Sequence, residues 1–194
     1  MSTASATWLR AAGVLAVLGA TVGTALDGLH THTGTTWYPQ PDFWRASIWV
    51  PPLFAAAALG IGLGRPFLER RLGLSPPAPS LAVTGGGMAV FVLCYAMSAF
   101  WPGSTVLKFA ALALLAAASG HFFDRSALGL GCMLGVALAG CGTEMALVHR
   151  GAFFHRDTEF FGVPAWLPML YACASVALGN LGRRLTSRSS RGSP

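Results

Sequence analysis

The chain has 194 residues, of which 54% are hydrophobic and only 10% charged, with a formal net charge of +6. Its mean hydropathy is +0.57. Soluble domains carry about 25% charged residues, so this chain has too little polar surface to face water on every side and reads as an integral membrane protein.

The 24 glycines and 12 prolines follow no collagen-like or low-complexity period, and membrane helices tolerate both residues. A spanning helix needs about 20 mainly apolar residues, and a charge at its centre costs a few kcal/mol. Uncharged runs therefore mark the spans. Arg10 and Asp27 bracket the first, which predicts a helix over about 7–29. No small-residue cleavage site follows it, so it reads as a helix and not as a secretory signal. Arg45 and Arg65 bracket the second, about 46–64. Pro76, Pro77 and Pro79 break the run from Arg71 to Lys108, leaving a third helix over 81–100. A turn at Trp101, Pro102 and Gly103 leads to a short fourth helix, 105–121, followed by a fifth over 127–148 and a sixth over 163–182. The expected fold class is an all-α membrane protein, six transmembrane helices in one bundle forming a single domain over 1–185, with a basic, disordered cytoplasmic tail at 186–194.

Loops rich in Lys and Arg stay in the cytoplasm. With an even number of spans, both termini share a side with Arg10, Arg65, Arg70, Arg71, Arg125, Arg183, Arg184, Arg188 and Arg191, against Arg45, Lys108, Arg150 and Arg156 opposite. Nine against four places both termini in the cytoplasm. The tail suits anionic lipid headgroups. A basic surface with interleaved aromatics, which nucleic acid needs, is absent, so no nucleic-acid partner is expected.

Within the spans, Cys94, Cys132, Cys141 and Cys173 show no metal-ligand spacing and read as small apolar residues. Gly19 with Gly23, Gly60 with Gly64, and Gly131 with Gly135 and Ala139 form four-residue stripes of the kind that let helices pack in lipid. The triplet Gly85, Gly86, Gly87 leaves a bare surface for a neighbouring helix or a ligand. Glu144 is the one acid placed well inside a span, where a carboxylate normally faces a cavity or partner. It either meets a lipid hydroxyl or pairs with Lys108 or Arg150. Asp27, His30, His32, His149, His155, Asp157 and Glu159 gather toward the outer face, and such groups are zinc or iron ligands, but they form no ligand box. No metal site is therefore assigned.

Two motifs start helices. In Trp49, Val50, Pro51, Pro52 the prolines lack N–H groups that a first turn would leave unpaired anyway, and the tryptophan serves as an interface anchor or lines a pocket mouth. Trp166, Leu167, Pro168 repeats the arrangement. In the turn Phe123, Asp124, Arg125, Ser126, Asp124 is placed to cap the fifth helix, with His121 facing the same turn.

Taken in order, Ser47 to Pro52, Arg65 to Gly73 (RPFLERRLG), Phe123 to Ser126, Trp166 to Pro168 and Gly179 to Arg183 resemble the Insig (insulin-induced gene) family over about residues 45–185. The resemblance implies a six-helix, non-enzymatic, lipid-binding bundle. In animals the family binds oxysterols in the endoplasmic reticulum and retains sterol-regulatory partners, and its aspartate matching Asp124 holds one of them. Asp124 and Arg125 are thus either a partner contact or a structural turn. Twelve arginines against one lysine suggest a GC-rich bacterial genome, hence a prokaryotic homologue in a bacterial plasma membrane, or in the endoplasmic reticulum if the source is eukaryotic, with those partners only if the organism has them. The implied function is a lipid sensor or scaffold with no cofactor, holding a sterol or diacylglycerol, with Glu144 at its head and Trp49, Met88, Phe91 and Met145 around its body. Membrane lipids are the expected partners, and leftover glycine stripes suit a homo-oligomer. A metal-dependent enzyme with outer-face ligands and a small transporter are the alternatives. No nucleophile, base and orienter fall into a catalytic spacing, and no inverted repeat or ion path supports a transporter.

Overall fold

The structure is a computed structural model that describes residues 3–187. Its helices follow the expected order: α1 (Thr3–Thr33), α2 (Val50–Arg71), α3 (Leu81–Phe100), α4 (Thr105–Phe123), α5 (Ala127–His149) and α6 (Leu167–Thr186). Two short strands, β1 (Thr36–Trp37) and β2 (Phe154–His155), pair antiparallel between the loops before α2 and before α6. Of the expected tail, residues 188–194 lie outside the described residues.

Several boundaries differ from the sequence reading, each for a local reason. α1 runs on past Asp27 to Thr33, through a π-helical turn at Gly19–Gly23, and ends where Gly34 adopts φ 69°. α2 continues through Pro66 to Arg71. Pro66 cannot bond the carbonyl of Gly62, and the backbone of Gly182 on α6 lies so close to that carbonyl that a Cβ there would overlap it. Trp49 and Trp166 occupy the residue before α2 and α6, with proline in the first turn. Trp166 is fully buried, so it is a core residue and not an interface anchor.

Among the described residues five helices are long and apolar enough to cross a membrane, and α6 falls short of that composition. The reason is its position. α6 is the centre of the bundle, packed by all five other helices, and 12 of its 20 residues are buried. A helix wrapped in protein needs no lipid-facing apolar surface, so it can carry Ser175, Asn180 and Arg183. The main core, around Cys94, Leu112, Trp166, Cys173 and Val176, lies along it.

Glycines sort by what they face. Gly19 and Gly23 of α1 lie against Phe54 and Ala58 of α2, as expected from their stripe. Gly60, Gly64, Gly131 and Gly135 do not pack: a Cβ on any of them would meet nothing within 4 Å. The packing glycine of α2 is Gly62, which receives Leu15. In the triplet, Gly86 lies under the Phe123 ring and Gly87 against Ala177, so neighbouring helices take the bare surface, while Gly85 is open.

At the end holding the termini, here the basic end, ion pairs and hydrogen bonds tie α2, the α2–α3 loop, the α4–α5 turn and α6 together. Arg65 pairs with Glu69 at 3.0 Å and with Asp124 at 2.8 Å, all with side chains under 10% exposed. Arg183 pairs with Glu69 at 2.9 Å and donates to the Pro77 carbonyl at 3.1 Å. Arg184 donates to the Pro79 carbonyl. Asn180 donates to the carbonyl of Phe123 at 2.9 Å, closing the end of α4. The expected cap at Asp124 is corrected: Ser126 caps α5 by accepting from the Gly129 amide at 2.9 Å, while Asp124 accepts from Ser126 and pairs with Arg65.

Candidate cavity of the bundle

A cavity of about 460 Å³ lies between α1, α2, α3, α5 and α6. Its walls are apolar, from Leu26, Phe54, Met88, Phe91, Leu170 and Leu178 among others. Its polar groups are Asp27 and Glu144, His30 and His155, Thr36 and Thr143, and Tyr38, Tyr95 and Tyr171, with no Lys or Arg in the lining. Most of these groups belong to the ends of α1 and α5 farthest from the basic end and to the loops beyond them. They are brought there by chain reversal. β1 and β2 align Thr36 with His155, which puts Tyr38, Phe153 and His155 over the helix ends as a roof.

Glu144 accepts from the Tyr171 hydroxyl at 2.5 Å through Oε1, and its Oε2 lies 2.8 Å from His155 Nε2. The pairing with Lys108 or Arg150 weighed from sequence is therefore not made. Lys108 instead reaches Asp157 at 3.2 Å. His155 Nδ1 lies 3.3 Å from the Thr36 hydroxyl. Asp27, expected near the outer surface at the end of a shorter first helix, is buried within α1 and accepts from Tyr38 at 2.9 Å. It is thus, like Glu144, an acid within a helix long and apolar enough to span. Burial, and then the nearby Asp27 carboxylate, push the Tyr38 phenol up, so it remains a donor to that acid. His30 Nε2 lies 2.8 Å from the hydroxyl of fully buried Ser98.

Among the residues singled out from sequence, Trp49, Met88, Phe91 and Glu144 line this cavity, and Met145 does not: it packs against the main core. Asp27, His30, Tyr38, Tyr95, His155 and Tyr171 were missed as lining. The histidine and aspartate types drew attention as possible ligands. The tyrosines carried no sequence signal, because nothing local says that Tyr38 folds back onto α1. His32, His149 and Glu159 are exposed and apart from the cavity. Among the described residues no three His, Cys, Asp or Glu side chains come together as a metal site requires. Arg125 at the basic turn is exposed and donates to the His121 carbonyl at 2.6 Å, a turn-stabilising bond.

The fold has solved relatives. The crystal structure of a mycobacterial Insig homolog, MvINS from Mycobacterium vanbaalenii, superimposes with a TM-score of 0.80 at 28% identity, covering 93% of this chain and 97% of that one. A cross-linked trimer of the same homolog matches equally well. No protein-family model matches. An INSIG protein homolog of Mycolicibacterium vanbaalenii is 34% identical over 184 residues, covering 90% of this chain and 86% of that protein. The chain belongs to the Insig family. The insulin-induced gene 2 protein of Gallus gallus is 29% identical, over 89% of this chain and 79% of its own length. Human insulin-induced gene 1 protein is 28% identical, over 89% and 64%.

Three of the five sequence motifs share one structural setting. In this Insig-family chain, Gly179, Asn180, Gly182 and Arg183 seat α6 against Arg65, Phe123, Gly62 and Glu69 in turn. The RPFLERRLG segment supplies Arg65 and Glu69 to those contacts, the Asp124 turn supplies Phe123, and Asp124 itself locks onto Arg65. They are one clamp at the basic end.

Proposed function

We propose that this Insig-family membrane protein holds one neutral lipid with a small hydroxylated head, a sterol or a diacylglycerol, in the central cavity, and acts as a sensor or scaffold without catalysing a reaction. The observation that carries the reading is the division of the cavity: apolar walls along the helices and, at one end, hydrogen-bonding groups with two acids and no Lys or Arg. Ligand sites generally combine extensive apolar contact with few placed polar groups. A phosphate head would meet two carboxylates here without a fixed cation to pair with, whereas a hydroxyl can donate to Glu144 or accept from a tyrosine.

The non-enzymatic reading is supported by the one serine and histidine in contact near the cavity among the described residues. Ser98 is wholly buried behind His30 and is not part of the lining. The nine-to-four charge asymmetry, with the arginine-rich composition, supports a bacterial plasma membrane with both termini in the cytoplasm. In that setting the sterol-regulatory partners of animal relatives have no counterpart. The cross-linked trimer of the mycobacterial homolog supports a homo-oligomer.

Quantifying co-purified lipid by mass spectrometry tests the reading. Glu144→Ala removes a strongly polar hydrogen-bonding group, worth about 1.5–3 kcal/mol, and is expected to lower retention of the native lipid roughly tenfold to hundredfold. Glu144→Gln still hydrogen-bonds and loses less. Equal lipid content in the three proteins would remove Glu144 from the site, and only phospholipid in the wild type would overturn the neutral-lipid reading.

A further inference from the structure

We infer that the ligand reaches the cavity sideways from the bilayer, through a window between the middles of α2 and α5. The inference rests on the neutral-lipid reading and adds the route to it. α2 and α5 are joined at both ends. At the far end Trp49 and Phe54 of the α2 side meet Leu147 and Val148 of α5 in one apolar cluster. At the basic end Arg65 bonds Ser126, before the first turn of α5, at 2.8 Å, and Asp124 beside it. Between those pins both helices border the cavity. Their facing middles carry Ala57, Gly60 and Ile61 on α2 and Gly135, Ala139 and Thr143 on α5, and all six line the cavity. All but Ile61 are exposed.

The small residues here do not serve close packing, since a Cβ at Gly60 or Gly135 would meet nothing within 4 Å. Their neighbours show the contrast: Gly62 receives Leu15, and Gly140 lies under Tyr171. The closed faces of both helices are therefore packed on protein, and the open faces flank a gap. From Ala57 to Arg65 the helix rises about 12 Å at 1.5 Å per residue, enough for an acyl chain to pass between residues that, apart from Ile61, carry side chains no larger than that of threonine. A route along the membrane midplane never exposes the lipid body to water. The head slides toward Glu144 and His155 once the body is inside, and the two pinned ends hold the frame of the window fixed.

The test follows exchange of a fluorescent NBD-labelled diacylglycerol between the full-length protein and vesicles of phosphatidylethanolamine and phosphatidylglycerol. The Gly60→Leu, Gly135→Leu double variant fills open space, so it should keep the wild-type melting temperature while uptake and release are both slowed at least tenfold, whereas a mere loss of cavity room would speed release. Ala57→Phe, as an independent plug, should slow both steps as well. Gly13→Leu, on an open α1 position outside the cavity lining, should exchange like wild type. Wild-type rates in both plugged proteins would overturn the window while leaving the cavity reading standing. Wild-type rates with an altered oligomer size would assign this face to a second copy of the chain instead. No uptake by the wild type would overturn both the window and the diacylglycerol reading.

Discussion

Asp157 shows how a single side chain can fasten a loop to a membrane bundle. It lies in the loop before α6 and accepts from Lys108 of α4 at 3.2 Å and from the indole of Trp166 at 3.3 Å. Burial by itself would push its carboxyl up, but the Trp166 and Lys108 hydrogen bonds and the Lys108 charge outweigh that and hold it below the ordinary carboxylate range. A carboxyl with a lowered folded-state pKa adds stability that is fully present above its unfolded value and disappears as pH falls through the folded one. The melting temperature of the detergent-solubilised protein should therefore drop as pH is taken from about 5 to about 3. In Asp157→Asn that drop should be smaller, starting from a lower melting temperature at neutral pH. An identical pH profile in the variant would show that the Lys108 contact adds nothing. Glu144 and Asp27 were less legible as residues. An acid in an apolar run announces that it needs a partner, but its partner comes from the fold: Tyr171 lies 27 positions away, and Tyr38 lies in a loop that turns back over α1.

At the scale of elements, the basic-end clamp carries the strongest prediction. Arg65, Glu69 and Asp124 are buried together, and breaking a buried pair by removing one member costs about 3–5 kcal/mol, because a charge is left uncompensated. Arg65→Met should destabilise the protein by that amount in detergent denaturation. Arg125→Ala, at an exposed arginine one residue from Asp124, should change stability by less than about 0.5 kcal/mol. Similar losses in both would mean that the turn, and not the buried pairing, is what matters. The buried position of Asp124 favours the structural-turn role over direct partner contact: its carboxylate is occupied by Arg65 and Ser126. Helix ends were readable because prolines, capping serines and charges mark them. The second helix runs on past the expected end at Arg65 to Arg71, because a buried, doubly paired arginine and a helix-bounding arginine look the same in a sequence.

For the whole molecule, the distribution of Lys and Arg assigns the basic end to the cytoplasm. A single added thiol, Ser190→Cys, should react with a membrane-impermeant maleimide only after permeabilisation of the cells. Labelling from outside intact cells would invert the topology, and with it place the cavity's polar end on the cytoplasmic side.

Charge spacing by itself determined six helices, their order and the turns between them, because the cost of a charge in hydrocarbon acts locally along the chain. The ordered motifs determined the family. Which glycines pack and which border open space was decided only by the tertiary structure. So were the central place of α6 and the meeting of Asp27, Tyr38, Glu144, His155 and Tyr171 around one cavity. The physical reason is that a helix in lipid is apolar on nearly every side. The hydrophobic pattern that distinguishes inside from outside in water is missing, and only close backbone approach and long-range hydrogen bonds decide which face meets protein, ligand or lipid.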